Sequence, residues 1–256
     1  MSADANKFAD AQRFFSALYA GQTGVLELRT FGPDKGADTK KAEAQRSAAN
    51  KLRSFVPVEN GVFDFVPVAK FLKGCEKAEL GAFYGVALRS NKAMIDKAGG
   101  AAYCQVLTAL FVDADFKHLG EDITRKRIAE FEEHPSMIVC SGAGLHPYWV
   151  LEQPFVLQMP GQYEDAKYTL KRFAHLVADV VDEQVSEPAR VLRIPGSMNF
   201  KYDPPRPVVL EHFDTSDVVK RAVPQEYPPL QTSEGVEVLP MLNDPDTFDI
   251  DDFVVE

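Results

Sequence analysis

The stretch VLTALFVDADF, residues 106–116, constrains this chain more than any other. It is apolar from Val106 to Val112, interrupted only by Thr108, and then ends in Asp113-Ala114-Asp115. A continuous apolar run of that length reads as an interior strand, bedded in a hydrophobic core and delivering its last side chains to an edge. Side chains two apart on a strand share a face, so both carboxylates are expected to project together. Two close carboxylates repel, and burial would raise one pKa unless a divalent cation neutralises them. Hard cations such as Mg2+ or Mn2+ take oxygen ligands, which makes the pair a candidate metal site. The plainer alternative is a strand end running into solvent with two hydrated acids.

The flanking segments supply partners for such a strand. Residues 7–19 place Phe8, Phe15, Leu18 and Tyr19 at near-helical spacing and predict a helix with one buried stripe. VLELRTF (25–31) alternates apolar with polar, as a half-buried strand does. Residues 32–52, rich in Lys and Ala, predict a loop running into a helix, and AFYGVALRS (82–90) a further strand. A charged helix is expected over 121–134 and an amphipathic one over 162–180. Residues 136–155 read as strand, glycine turn, strand, and RVLRIPGSMNFK (190–201) as a strand ended by Pro195-Gly196. Strands and helices interleave, so the fold class is α/β (α+β), and no internal repeat is visible.

Two segments carry chemistry beyond the carboxylate pair. In Ser141-Gly142-Ala143-Gly144-Leu145-His146 the glycines allow positive φ and close backbone approach, so amides could meet phosphate oxygens with His146 as a further donor. The same residues suit a simple hairpin turn with a packed histidine. Val181-Asp182 precedes Arg190, Arg193, Asn199 and Lys201. Asp182 could complete a three-carboxylate site, with Asp179 and Glu187 as rivals, while Arg190 and Lys201 suit a polyphosphate. A salt-bridged surface strand explains that pattern equally.

Charge divides the chain. Of 38 acids, nine lie beyond Arg221, where there is no base, leaving 29 acids against all 28 bases in residues 1–221. The body is near neutral, so the net charge of −10 does not exclude a local groove for a polyanion. Eight of the 17 prolines fall between 204 and 245, which makes a long helix there improbable. Residues 1–222 are therefore expected to form the compact domain, and 223–256 an acidic, proline-containing, partly disordered tail. Cys75, Cys104 and Cys140 are far apart and lack zinc-ligand spacing, so no structural zinc is expected and all three read as small buried residues. No apolar run approaches the roughly 20 residues of a membrane helix, and the N-terminus lacks the pattern of a secretion signal. A cytoplasmic location without membrane association is expected.

The order of these motifs resembles the archaeo-eukaryotic primase (AEP) superfamily, specifically the primase-polymerases (PrimPol) of plasmids, phages and eukaryotes. That family carries DxD, then SxH or SGxGxH, then an apolar residue with Asp leading into a strand of the type RxxRxPGTxNxK. Here these are similar to Asp113/Asp115, Ser141 to His146, Val181-Asp182 and Arg190 to Lys201, with Ser197 where Thr is usual. Phe83 to Arg89 is similar to a strand common upstream in the family.

The resemblance covers roughly residues 10–215. It implies an N-terminal α/β module joined to a C-terminal RRM-like antiparallel sheet, and a phage- or plasmid-type enzyme that makes or extends primers on single-stranded DNA. It further implies a two-metal Mg2+ or Mn2+ site on Asp113, Asp115 and Asp182, with Glu187 as the rival third ligand. His146 becomes a catalytic residue. Ser141, Gly142, Gly144, His146, Arg190, Arg193, Asn199 and Lys201 would bind a dNTP or NTP, and Arg89 the template. The acidic tail would suit a helicase or single-strand-binding partner. Two other classes remain open: an RRM-like single-stranded nucleic-acid binder with structural acids, and a DxD nucleotide-sugar transferase. The transferase leaves the 190–201 strand unexplained.

Overall fold

The computed structural model describes residues 8–33, 39–178 and 186–216. The chain begins with α1 (Ala9–Leu18), whose Ala11, Phe14, Phe15 and Leu18 form the buried stripe. β1 (Gly24–Arg29) follows, then α2 (Lys40–Leu52), capped by the Thr39 hydroxyl accepting from Ala42 N–H at 3.0 Å. β2 (Ser54–Val58) pairs antiparallel with β1, and α3 (Phe65–Lys77) buries Val68, Phe71, Leu72 and Cys75. β1 is not half-buried as its alternation predicts. Every residue but Arg29 is buried, including Glu27, because β1 is interior to the sheet and Glu27 finds arginine partners there.

The 82–90 strand is two strands, β3 (Phe83–Gly85) and β4 (Leu88–Arg89), with a break at Val86-Ala87. α4 (Asn91–Asp96) and a single 3-10 turn (Ala101–Tyr103) lead into β5 (Cys104–Phe111), in which all residues but Gln105 are buried. Next come β6 (Ala114–Asp115), the short α5 (Phe116–Leu119) and α6 (Glu121–Glu130). β7 (Met137–Cys140) and β8 (Gly144–Val156) form the expected hairpin, and α7 (Gln162–Ala178) covers β5 and β8. The described chain closes with β9 (Val191–Arg193), β10 (Met198–Asn199), β11 (Arg206–Pro207) and β12 (Val209–Phe213).

Ten strands form one sheet in the order β12-β7-β8-β5-β4-β1-β3-β9, with β2 on β1 and β6 on β8. β3 and β4 lie end to end beside β1, and their other edge is shared. β4 takes β5 there (Leu88 opposite Val106) and β3 takes β9 (Tyr84 opposite Leu192). Both newcomers run antiparallel to the same broken strand, so β5 must peel away where β9 begins. The sheet forks at that point, and the end of β5 carries Asp113 to the fork.

An N-terminal helix-and-strand module and a C-terminal antiparallel sheet are thus joined through shared strands. The core is continuous across the join. Phe14 meets Tyr84 and Tyr148 edge-on at 5.6 and 5.1 Å, and Trp149 meets Phe173 at 4.6 Å. No helix among the described residues is long and apolar enough to cross a membrane.

Candidate active site

Where the sheet forks, a cleft of about 220 Å³ collects Asp113, Asp115 and His146 from one wing and Arg190 and Arg193 from the other. Ser141, Gly144, Asn199 and Lys201 line it as well, as do Phe83 and Tyr202. Asp113 follows Val112, whose N–H donates to Pro147 O and so keeps the chain beside β8 after β5 has ended. Arg190 enters because Val86 N–H, at the break between β3 and β4, donates to Arg190 O at 3.0 Å.

Asp113 is the electrostatic centre. Its Oδ2 accepts from Arg190 Nη2 at 2.8 Å, and its Oδ1 lies 3.2 Å from His146 Nε2. Burial would raise this carboxyl, but the hydrogen bonds and charge of His146 and Arg190 outweigh it and hold the group well below the usual carboxylate range. His146 Nδ1 is buried with no hydrogen-bond partner among the described residues, so the histidine serves Asp113 through Nε2 alone. Arg193 lies against the Phe83 ring, 4.6 Å from its centroid, and burial pulls its pKa below an arginine's ordinary value. Asp115 faces the same cleft, accepting from Lys117 N–H at 3.1 Å and pairing with Lys117 Nζ at 3.1 Å.

The glycine turn has its own structural reasons. Gly142 has φ +83°, and a Cβ there would come within 2.8 Å of Arg206 Cβ. A Cβ on Gly144 would lie 2.5 Å from Ala114 O, so the close pairing of β6 with β8 requires glycine. Ser141 donates its hydroxyl to Gly144 O at 3.1 Å, and Asn199 Nδ2 donates to Ser141 O at 2.9 Å. These residues shape the turn that carries His146 toward Asp113. Asn199 is buried and Lys201 exposed.

Two expected positions fall elsewhere. Arg89 is fully buried, which leaves no surface for a template contact. Its Nε donates to Glu27 Oε2 at 3.0 Å, Nη1 to Cys104 Sγ, and Nη2 to Ala189 O at 3.1 Å. Because Ala189 precedes Arg190, Arg89 is a clip that fixes the approach of Arg190. Glu187 does not line the cleft, and its charge acts instead on Cys104 and Tyr163. Burial pushes the Cys104 thiol up to about 11 and the Cys75 thiol up to about 12. Cys140 is half-buried rather than buried, because it lies at the end of β7 beside the outermost strand, β12.

Asp182 and its rival Asp179 lie outside the described residues. Among the described residues no three His, Cys, Asp or Glu side chains gather into a metal-holding group. Asp113 and Asp115 both line the cleft and carry the oxygen ligands that a hard cation takes, and a cation there would replace or share the contacts that Arg190, His146 and Lys117 make with them. Sequence reading missed Arg206, whose Nη1 donates to Gly142 O at 2.8 Å while its guanidinium stacks 4.0 Å over Tyr202. It sits in a proline-rich stretch without periodicity, so no local signal marks it.

No family model and no curated protein matches the chain. Among solved structures it is similar to the primase RepB', with 12% identity and TM-score 0.46 over 83% of this chain and 58% of that one. The catalytic domain of RepB' in complex with initiator DNA gives 11% identity and TM-score 0.45, over 83% and 87%. The AEP domain of the cyanophage S-2L primase-polymerase gives 13% identity and TM-score 0.54, over 83% of this chain and 92% of that one. That last likeness shows an AEP-type fold.

Proposed function

We propose that the chain is a template-dependent DNA primase/polymerase that makes or extends primers on single-stranded DNA from dNTPs or NTPs. The observation that carries this reading is the convergence of Asp113, Asp115, His146, Arg190 and Arg193 on one cleft of an AEP-type sheet. The solved relative of highest TM-score above is a primase-polymerase, which supports the same chemistry here.

In this reading Asp113 and Asp115 hold Mg2+ or Mn2+, with Asp182 as the third ligand. A cation held there would lower the pKa of a 3′-hydroxyl and stabilise negative charge on a departing pyrophosphate. His146 keeps the Asp113 carboxylate oriented. Arg190 and Arg193 bring fixed positive charge to the cleft wall, where a triphosphate's developing negative charge is best met by donors already in place. Asn199 keeps the Ser141 turn in position beneath the nucleotide, and Lys201 adds a mobile cation at the mouth.

Single-stranded template incubated with labelled dNTPs or NTPs, with and without Mn2+, tests the reading. Metal-dependent incorporation is expected, reduced about 10²–10³-fold in Asp113→Ala and in Asp115→Ala. Wild-type rates in either variant would overturn the site. Template binding with no incorporation under any metal would return the chain to the class of non-catalytic binders. Asp182→Ala should match the other two, and a mild Asp182→Ala would remove that residue from the ligand set.

A further inference from the structure

A second groove, of about 940 Å³, opens in the N-terminal module between the ends of β1, α2, β2 and α4. Arg29, Arg46, Lys51, Arg53 and Lys97 line it, and no carboxylate does so among the described residues. Arg53 is paired with the buried Glu27 at 2.6 Å, whereas Lys51 and Lys97 are exposed. Apolar surface lies between the charges. Phe31 is 45% exposed beneath Arg29, Met94 is 40% exposed, and Phe55 lies under Arg53. Phe31 also touches Phe83 edge-on at 5.2 Å, and Phe83 lines the cleft, so groove and cleft share a wall.

The complement to this surface is written in the same chain. Residues 244–256 hold six acids and no base, interleaved with Phe248, Ile250, Phe253 and Val254. The described chain stops at Ser216, just beyond β12 at the sheet edge. β12 and β1 are five strand spacings apart, about 24 Å. Residues 217–243 can span up to about 90 Å when extended, so reach is ample. Tethering gives such a segment a local concentration on the order of millimolar, enough for a modest electrostatic contact to be populated.

We propose that this groove holds the chain's own acidic segment 244–256, its carboxylates against Lys51 and Lys97 and its aromatic side chains against Phe31 and Met94. Docking of this kind is independent of the polymerase reading, because it needs neither nucleotide nor template.

The test uses the 256-residue chain with Phe248 replaced by the photo-cross-linker p-benzoylphenylalanine. Irradiation without DNA, followed by digestion of the monomeric product, is expected to place cross-links in residues 29–33, 46–55 and 94–97. Their yield should fall at least about fivefold in about 0.5 M salt, where screening is nearly complete over a few ångströms. Lys51→Glu with Lys97→Glu should lower it as much at low salt. Cross-links scattered over the surface, found only between chains, or indifferent to the charge reversals would overturn the proposal. Cross-links absent from the groove, with oligo-dT binding lost in the charge-reversed protein, would assign the groove to single-stranded nucleic acid instead and overturn it equally.

Discussion

Burial alone would make Asp113 a weaker acid, yet the donors Arg190 and His146 reverse that and keep it ionised. A carboxyl held below its unfolded value of about 3.9 stabilises the fold above that pH, and the contribution is lost as pH falls through the lower folded value. Asp113→Asn removes the charge and leaves Arg190, partly buried, facing a neutral amide. The expected cost is about 1–3 kcal/mol at neutral pH, shrinking below about pH 4, where Asp113 of the unfolded chain takes up a proton while the folded one stays ionised. Urea unfolding of both proteins between about pH 7 and about pH 3 measures the gap, and a pH-independent gap would contradict a lowered Asp113. The residues of this site were legible because each sits at a fixed step from sequence punctuation: the end of an apolar run, a glycine turn, a strand before Pro-Gly. Arg89 was misread for the opposite reason. Its partner Glu27 is 62 residues away, and an arginine after an apolar strand looks the same whether it meets solvent or a buried carboxylate.

Between elements, the buried Glu27–Arg89 pair joins β1 to β4 and, through Ala189 O, to the segment that delivers Arg190. Both side chains are fully buried. Removing Arg89 leaves Glu27 Oε2 without its buried donor and Arg53 as its remaining arginine partner, so Arg89→Met is expected to cost about 1–3 kcal/mol. Combining it with Glu27→Gln should recover part of that loss, and urea midpoints of the two single variants and the double variant give the coupling. Additive losses would mean that the pair does not act as a unit. The break between β3 and β4 was not visible in AFYGVALRS, because its cause is non-local: β5 and β9 claim the same edge. Likewise α6 stops at Glu130 instead of continuing to 134. Phe131 leaves the helix to sit edge-on to Trp149 and Phe173, at 5.8 and 5.4 Å. Periodicity registers a helix's own residues and cannot register an aromatic pocket supplied from 149 and 173.

For the molecule as a whole, two modules sharing one sheet raise the question of whether they unfold separately. The helix α1 belongs to the first module by sequence, but Phe14 contacts Tyr148 of the second, and Arg13 lies 3.7 Å over the Phe213 ring on the edge strand β12. Tyr84 donates to the Tyr148 hydroxyl at 2.9 Å in the buried centre between them. One hydrophobic cluster includes Phe8 and Val58 together with Trp149 and Phe173, so neither module has a core that closes without the other. Separating them would expose those aromatic faces, at about 25 cal/mol per Å² of apolar surface. A single cooperative transition is therefore expected, even though chains of this length often show intermediates. Trp149, the chain's one tryptophan, reports from β8, whereas far-UV circular dichroism averages over both modules. Urea curves followed by the two signals should superimpose in midpoint and slope. A fluorescence transition displaced from the dichroism transition would mean that the shared sheet does not bind the modules into one folding unit.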